Sequence, residues 1–193
     1  EIAIEEKVPV LNFSLGKGDW ICKRVHAYGG KVIATVVNEK HAQAAERSGV
    51  DALLVTGHEA AAHGGDVTSL VLIPAIRQIS SLPIIATGGF GTGGGLIAAL
   101  ALGADAVAMG TRFATSQESP VHANTKKLIT EKSVSDTLYT PNFDGMPCRI
   151  MKTPPGVAAA AKPLSLPRVM MKALQAACEL GRPLTALVRD VLK

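Results

Sequence analysis

The 28 residues from Ala86 to Phe113 read ATGGFGTGGGLIAALALGADAVAMGTRF, and the reading of this stretch decides the fold. The apolar run 83–86 reads as a strand that ends in Gly88-Gly89, with a second glycine cluster at Gly91, Gly93, Gly94 and Gly95. The Ala/Leu-rich segment from about 96 to 102 predicts a helix, and Gly103 is its stop signal. Residues 105–109 predict another buried strand, ending in Gly110-Thr111. This is one βαβ unit with a bare-backbone corner at the C-terminal end of each strand. Glycines in such corners permit positive φ and let a ligand approach backbone N–H groups without a Cβ in the way. The N-terminus of the following helix adds a partial positive charge that favours an anion. Two such corners on neighbouring strands predict a phosphate cup, of the kind that the last two loops of a (β/α)8 barrel often form. The plainer alternative is that the glycines serve only as tight βα turns.

Outward from this unit, the same rhythm extends toward the N-terminus. Strands are expected at 8–11, 31–37 and 51–56, and helices at 19–28, 38–47 and 68–80. Asn38 is a plausible N-cap, Gly49 a C-terminal signal, and Pro74 an irregularity in the last of these helices. Counting the glycine unit, strands alternate with helices five times, which argues for a parallel α/β architecture with right-handed crossovers. Five strands do not close a barrel, which takes eight in this class. The choice is therefore a doubly wound open sheet or a barrel whose first three βα units are absent from this sequence. The paired glycine corners, and a first residue that is Glu rather than Met, favour the barrel. Beyond Phe113 the pattern loosens: a helix is expected at 119–132, irregular or extended chain at 137–151, and a linker at 153–156. Two amphipathic helices are expected across 166–192, parted near Gly181. The domain reading is barrel over 1–135 and an irregular, helical C-terminal segment near the active site over 136–193.

Composition narrows the function classes. The formal net charge of +4 is spread along the chain, and no basic block alternates with aromatics, which argues against nucleic-acid binding. A mild positive balance suits anionic small molecules such as a flavin phosphate or a dinucleotide. No apolar run approaches the ~20 residues of a membrane span, and no signal peptide is evident. Cys22, Cys148 and Cys178 are odd in number and far apart, which fits reduced thiols in a cytoplasmic protein and no metal centre. The expected partner is a small-molecule substrate, with neither nucleic acid nor membrane; a homodimer is left open.

The loop GHEAAAHGG, residues 57–65, carries two histidines and a carboxylate at a strand's C-terminal end. In a barrel that is the active-site face, and an imidazole there can accept or donate a carbon-bound proton near neutral pH. His63, between small residues at the glycine turn, is the candidate catalytic residue, while His58 reads as an ordinary loop histidine. A zinc site on His58, Glu59 and His63 has no helix pattern behind it. Arg112 suits a phosphate or a rim salt bridge equally, His122 and Lys126 read as a solvated helix face, and Cys148 as a structural thiol. Ser116 and Ser119 lack the partners of a serine hydrolase.

These motifs carry a family resemblance. GHEAAAHGG, then PIIATGGFGTGGGLIAALALGADAVAMGTRF, then Glu118-Ser119 with His122, resemble the nitronate monooxygenase (2-nitropropane dioxygenase) family, to which flavin-dependent enoyl-acyl carrier protein reductase II also belongs. The match runs from Glu5-Glu6-Lys-Val-Pro-Val through Cys148-Arg-Ile-Met-Lys-Thr153. It implies an FMN-containing (β/α)8 TIM barrel, of which this chain would hold about the last five βα units, with a helical segment over the active site. It implies His63 as general base toward nitroalkanes. Gly88, Gly89, Gly110 and Thr111 would bind the flavin phosphate, with Met109 and Ala108 beside the flavin. The activity implied is oxidation of nitronates or nitroalkanes with O2 to carbonyl compounds and nitrite. In the enoyl-reductase or quinone-reductase branch, NAD(P)H is the electron donor. The chain departs from the family pattern at Thr92 and Gly94, where Asp and Arg are common, and at Ala108, where Gln is frequent. It departs again at Ala61-Ala62, where Gly-Gly is usual, which narrows the pocket and bears on the substrate. Two further readings are a catalytically silent phosphate-ligand module and a barrel handling a phosphorylated sugar. The central expectation is geometric: His63 and the glycine corners are to face one shared hollow.

Overall fold

The computed structural model describes residues 1–61, 63–143 and 146–162, with positions 165, 167, 171 and 174. After a one-turn helix α1 (Ile2–Glu5), five parallel strands alternate with helices. They are β1 (Val10–Phe13), α2 (Asp19–His26), β2 (Lys31–Val36), α3 (Glu39–Arg47), β3 (Ala52–Thr56), α4 (Ser69–Ile79), β4 (Ile84–Thr87), α5 (Gly93–Ala101) and β5 (Ala106–Ala108). Then follow α6 (Gly110–Ala114), α7 (Ala123–Thr130), β6 (Thr137–Thr140), β7 (Cys148–Met151) and α8 (Pro154–Ala160).

The strands lie side by side in chain order, β1-β2-β3-β4-β5. A doubly wound sheet would reverse its strand order partway and carry helices on both faces. Among the described residues, the helices between the strands pack on one face. Val32, Ala34, Val36, Leu53, Val55, Ile84 and Ala86 are each 2% exposed or less and form one core with Val25, Ala42, Leu72, Ile73, Ile76 and Ala99 from the helices. The alternate residues, Ile33, Thr35, Leu54, Ile85, Thr87 and Ala108, are half-buried. Consecutive order with helices on a single face is the winding of a (β/α)8 barrel, and the chain holds five of its units. Apolar side chains are exposed beside both outer strands: Val10, Leu15 and Trp20 around β1, and Leu96, Ile97 and Phe113 near β5.

Local chemistry sets the element ends. Asn38 caps α3 by accepting from the His41 amide at 2.8 Å, and Thr92 caps α5 by accepting from the Gly95 amide at 3.2 Å. Pro74 lies inside α4 without ending it. Two departures from the sequence reading lie at helix starts. The turn expected after β5 continues into the short helix α6. The linker expected at 153–156 is instead the start of α8: Thr153 Oγ1 accepts from the Gly156 amide at 3.1 Å, and prolines sit at the first helical positions, where no N–H is needed. The extended chain expected at 137–151 is an antiparallel hairpin, β6–β7. The amphipathic helices expected across 166–192 fall largely outside the described residues.

At the N-terminal ends of the strands, carboxylates fasten neighbours together. Asp51 Oδ2 accepts from Val32 N at 2.8 Å while Asp51 N donates to Val32 O at 2.8 Å; Asp105 and Ile84 repeat the arrangement at the same distances. Burial alone would raise the Asp51 carboxyl. The Lys31 ammonium at 2.8 Å, the Val32 amide and His26 at 2.8 Å outweigh it and bring the pKa to about 2, from an ordinary 3.8. A folded-state pKa below the unfolded one stabilises fully above the unfolded value, and the gain fades as pH falls from about 4 toward 2. Asp51→Asn is therefore expected to cost on the order of 2 kcal/mol at pH 7 and to flatten the acid limb of the stability curve. Urea unfolding at a series of pH values checks this, and an acid limb as steep as the parent's would remove the assigned role.

Candidate active-site face

At the C-terminal tips, Thr56, Thr87 and Ala108 stand in cross-strand register on β3, β4 and β5. They open onto a hollow of about 590 Å³ that Gly88, Gly89, Gly91, Gly110, Thr111, Arg112 and Thr115 complete. Gly88 and Gly89 take φ values of +100° and +81°, the left-handed region that glycine tolerates. Side chains at Gly91, Gly93 or Gly110 would meet nothing within 4 Å, so these glycines leave real space. The first-turn amides of α5 and α6 have no intrahelical acceptor, as in any helix, and both helices begin at this end of the sheet. Thr87 Oγ1 donates to Ala108 O at 2.9 Å, and Thr115 Oγ1 donates to Thr111 O at 3.0 Å. Thr56 Oγ1 is different: it is buried and has no hydrogen-bond partner among the described residues. A buried hydroxyl left unpaired is costly, and this one belongs to the wall of the hollow.

The β3 loop, residues 57–68, forms the opposite wall through Glu59, Ala60 and Ala61. A Cβ at Gly88 would stand 3.1 Å from Gly57 O and from Ala60 N, so the loop lies directly on the β4 elbow. The sequence gives Glu59 no role beyond a zinc site without a helix pattern, yet it anchors this wall. Its carboxylate accepts from Ser69 N at 2.9 Å and caps α4, whose N-cap Thr68 makes no side-chain bond. Ser69 Oγ lies 3.0 Å from Glu59 Oε2 and 2.8 Å from Gly88 O, and its single proton serves one of them at a time. A ten-residue separation from the helix it caps hides this role in the sequence.

His63 lies elsewhere. The shared hollow expected from the sequence is not what the structure has: His63 lines a second hollow of about 290 Å³ with Phe13, Gly16, Lys17, Val37 and His41. Its Nδ1 lies 3.4 Å from Pro147 O in the β6–β7 turn. A carbonyl can only accept, so in this contact Nδ1–H is the donor. His58 Nδ1 donates in the same way to Gly65 O at 2.9 Å. One loop thus walls the first hollow with Glu59, Ala60 and Ala61 and carries His63 into the second.

Of the other sequence candidates, Gly88, Gly89, Gly110, Thr111 and Arg112 come together in the first hollow, and half-buried Met109 precedes it as the N-cap of α6. Cys148 is buried, with Sγ 3.5 Å from Thr140 O. His122 is exposed, as a solvated face requires, and Lys126 is half-buried. His122 Nδ1 accepts from Asn124 N at 3.2 Å as the N-cap of α7, and Lys126 Nζ donates to Ser116 O at 2.6 Å and Ser119 O at 2.7 Å. Among the described residues, no three His, Cys, Asp or Glu side chains converge where a metal ion could sit, and no helix is long and apolar enough to cross a membrane.

A partly wound barrel with a glycine cup at its strand tips defines the class, and comparison with known proteins narrows it. A family model described as nitronate monooxygenase matches residues 1–178, and the chain belongs to that family. A carboxyl-CoA dehydrogenase of Rhodococcus jostii, acting by its name on a hydroxy-methyl-oxo-octahydroindene carboxyl-CoA, is 38% identical over 153 residues, 79% of this chain and 43% of the relative. FabK from Thermotoga maritima superposes with a TM-score of 0.83 at 37% identity, covering 92% of this chain and 57% of that one. Nitroalkane oxidase from Streptomyces ansochromogenes gives 0.73 at 28% identity, covering 87% and 52%. The chain spans a little under half the length of the curated relatives it matches.

The unpaired Thr56 hydroxyl generates a test. Thr56→Val removes a buried donor without changing shape, so the melting temperature is expected to stay level or rise. Affinity for the ligand of the hollow, read with inorganic phosphate and FMN, is expected to fall by about fivefold, the equivalent of one hydrogen bond. A lower melting temperature with unchanged affinity would show that Thr56 serves only the fold.

Proposed function

We propose that the chain carries the phosphate cup and the general base of an FMN-dependent oxidoreductase that oxidises nitronates and nitroalkanes with O2. The observation that carries this reading is the cup itself, in which open glycines, strand-tip threonines and an unpaired buried hydroxyl surround a space next to Arg112. These features fit a phosphate monoester. The amides of Gly88, Gly89, Gly110 and Thr111 would hold it, with the Thr111 hydroxyl and Arg112 adding charge-assisted bonds. Met109 and Ala108 would lie beside the flavin. Glu59 does not oppose the anion strongly, because its carboxylate is already engaged by Ser69.

When bound, FMN supplies the electron acceptance and the reactivity toward O2 that amino-acid side chains lack. The chain's part is the proton. His63 would accept the carbon-bound proton of a nitroalkane, and its contact with Pro147 O would steady the imidazolium that results. A substrate already ionised to the nitronate needs no base.

A second reading, reduction of an acyl thioester with NAD(P)H, is favoured by one observation. Identity is higher to FabK, at 37%, and to the carboxyl-CoA dehydrogenase, at 38%, than to nitroalkane oxidase, at 28%. Oxygen uptake with propyl nitronate supports the first reading, and NADH consumption with a crotonyl thioester supports the second. A protein that takes up no flavin would leave a silent phosphate-ligand module or a sugar-phosphate barrel.

Two substitutions test the proposal. His63→Ala is expected to leave FMN bound and to lower turnover of neutral nitroalkanes by about a hundredfold or more, while nitronate turnover changes little. Unchanged nitroalkane turnover would exclude His63 as the base. Gly110→Val places a side chain in open space at a helix start, so stability is expected to hold while FMN affinity falls at least about tenfold. Full FMN affinity in that variant would count against the cup.

A further inference from the structure

The β3 loop has little packing of its own: Gly57, Ala60, Ala61, Gly64 and Gly65 supply almost no side chain to fix its path. Beyond the Glu59 anchor at Ser69, it is held from the β6–β7 hairpin. Arg149 forks onto a single carbonyl, Nε and Nη2 donating to His58 O at 3.2 and 3.1 Å. The third arm, Nη1, donates to Thr137 Oγ1 at 3.1 Å and ties the guanidinium to the opposite hairpin strand. Tyr139, the cross-strand partner of Arg149, donates its hydroxyl to Gly64 O at 2.8 Å. Its ring lies 4.5 Å from the His58 ring, tilted by 54°, and the guanidinium carbon sits 5.7 Å from the centre of the Tyr139 ring. Between these two anchors Pro147 O faces His63 Nδ1. The hairpin therefore meets the loop at its start, at His63, and at the residue after it.

We infer that Arg149 and Tyr139 are positioning residues for His63: by fixing the His58 and Gly64 carbonyls they set the path of the segment that presents the imidazole. The inference rests on the proposed role of His63 as base. A proton-accepting nitrogen must be held to within about 1 Å of its working place, and a loop of alanine and glycine does not hold it unaided. Both anchors are suited to the task. The Arg149 guanidinium is a planar, rigid fork of donors. Burial, helped by Asp66, pushes the Tyr139 phenol up, so it keeps the proton it donates.

The test uses the full chain with FMN bound and two conservative variants. Tyr139→Phe keeps the ring against His58 and deletes only the hydroxyl; Arg149→Lys keeps the charge and loses the fork. For each, kcat/KM is measured with a neutral nitroalkane and with its nitronate. Hydrogen exchange of amides 58–65 is followed separately, without substrate. The expected result is a fall of at least about tenfold with the neutral substrate, nitronate turnover within about twofold of the parent, and faster exchange in the loop. Equal losses on both substrates would reduce the hairpin to a structural element, and unchanged exchange would overturn the inference outright. His63→Ala separates the two claims. If it spares nitroalkane turnover, the base reading fails and exchange alone decides the clamp. If it removes that turnover while Tyr139→Phe and Arg149→Lys do not shift the substrate ratio, only the clamp fails.

Discussion

Everything at the working end depends on how closely the β3 loop can lie on the β4 elbow. The elbow offers no side chain: Gly88 runs at φ +100°, and even a methyl group there would crowd Gly57 O and Ala60 N. Because the loop can settle onto bare backbone, Glu59 reaches Ser69 at the start of α4, and the loop becomes a wall of the strand-tip hollow. Without that approach the hollow would open on one side, and the segment bearing His63 would have no floor. The glycines thus act twice, once by making space for a ligand and once by letting two backbones touch.

The lower end of the sheet solves a different problem with different residues. There Asp51 and Asp105 satisfy strand amides and bind Lys31 and Arg77, fastening the ends where no chemistry is expected. The division matches that of barrels generally, with stability devices at the N-terminal ends of strands and open, reactive backbone at the C-terminal ends. In this member of the nitronate monooxygenase family, the glycine elbows and the histidine loop both follow strands at that C-terminal end.

Much of this was legible in the sequence because it is local. Strand runs bounded by Gly and Asp, the Asn38 cap and the two glycine corners each sit within a few residues of what they determine, and all five strands of the sheet lie where the pattern puts them to within two or three residues. Gly88, Gly89, Gly110 and Thr111 line one hollow because each lies at the tip of one of two neighbouring strands. What was not legible depends on partners far apart in the chain. Glu59 caps a helix ten residues on, Tyr139 grips Gly64 from 75 residues away, and Pro147 draws His63 from 84 residues away. Those long-range contacts turn the imidazole into a neighbouring hollow, which no spacing rule within GHEAAAHGG could reveal. Thr153-Pro-Pro misled for the opposite reason, since the residues that break a chain also begin a helix.

The claim at the centre is that the strand-tip cup recognises a phosphate. Parallel titration of the protein with FMN and with riboflavin, which differ only in that group, tests it most directly. The account predicts that FMN binds at least about a hundredfold tighter, with the advantage shrinking as salt rises. Equal affinity for the two flavins, or binding of neither, would contradict it.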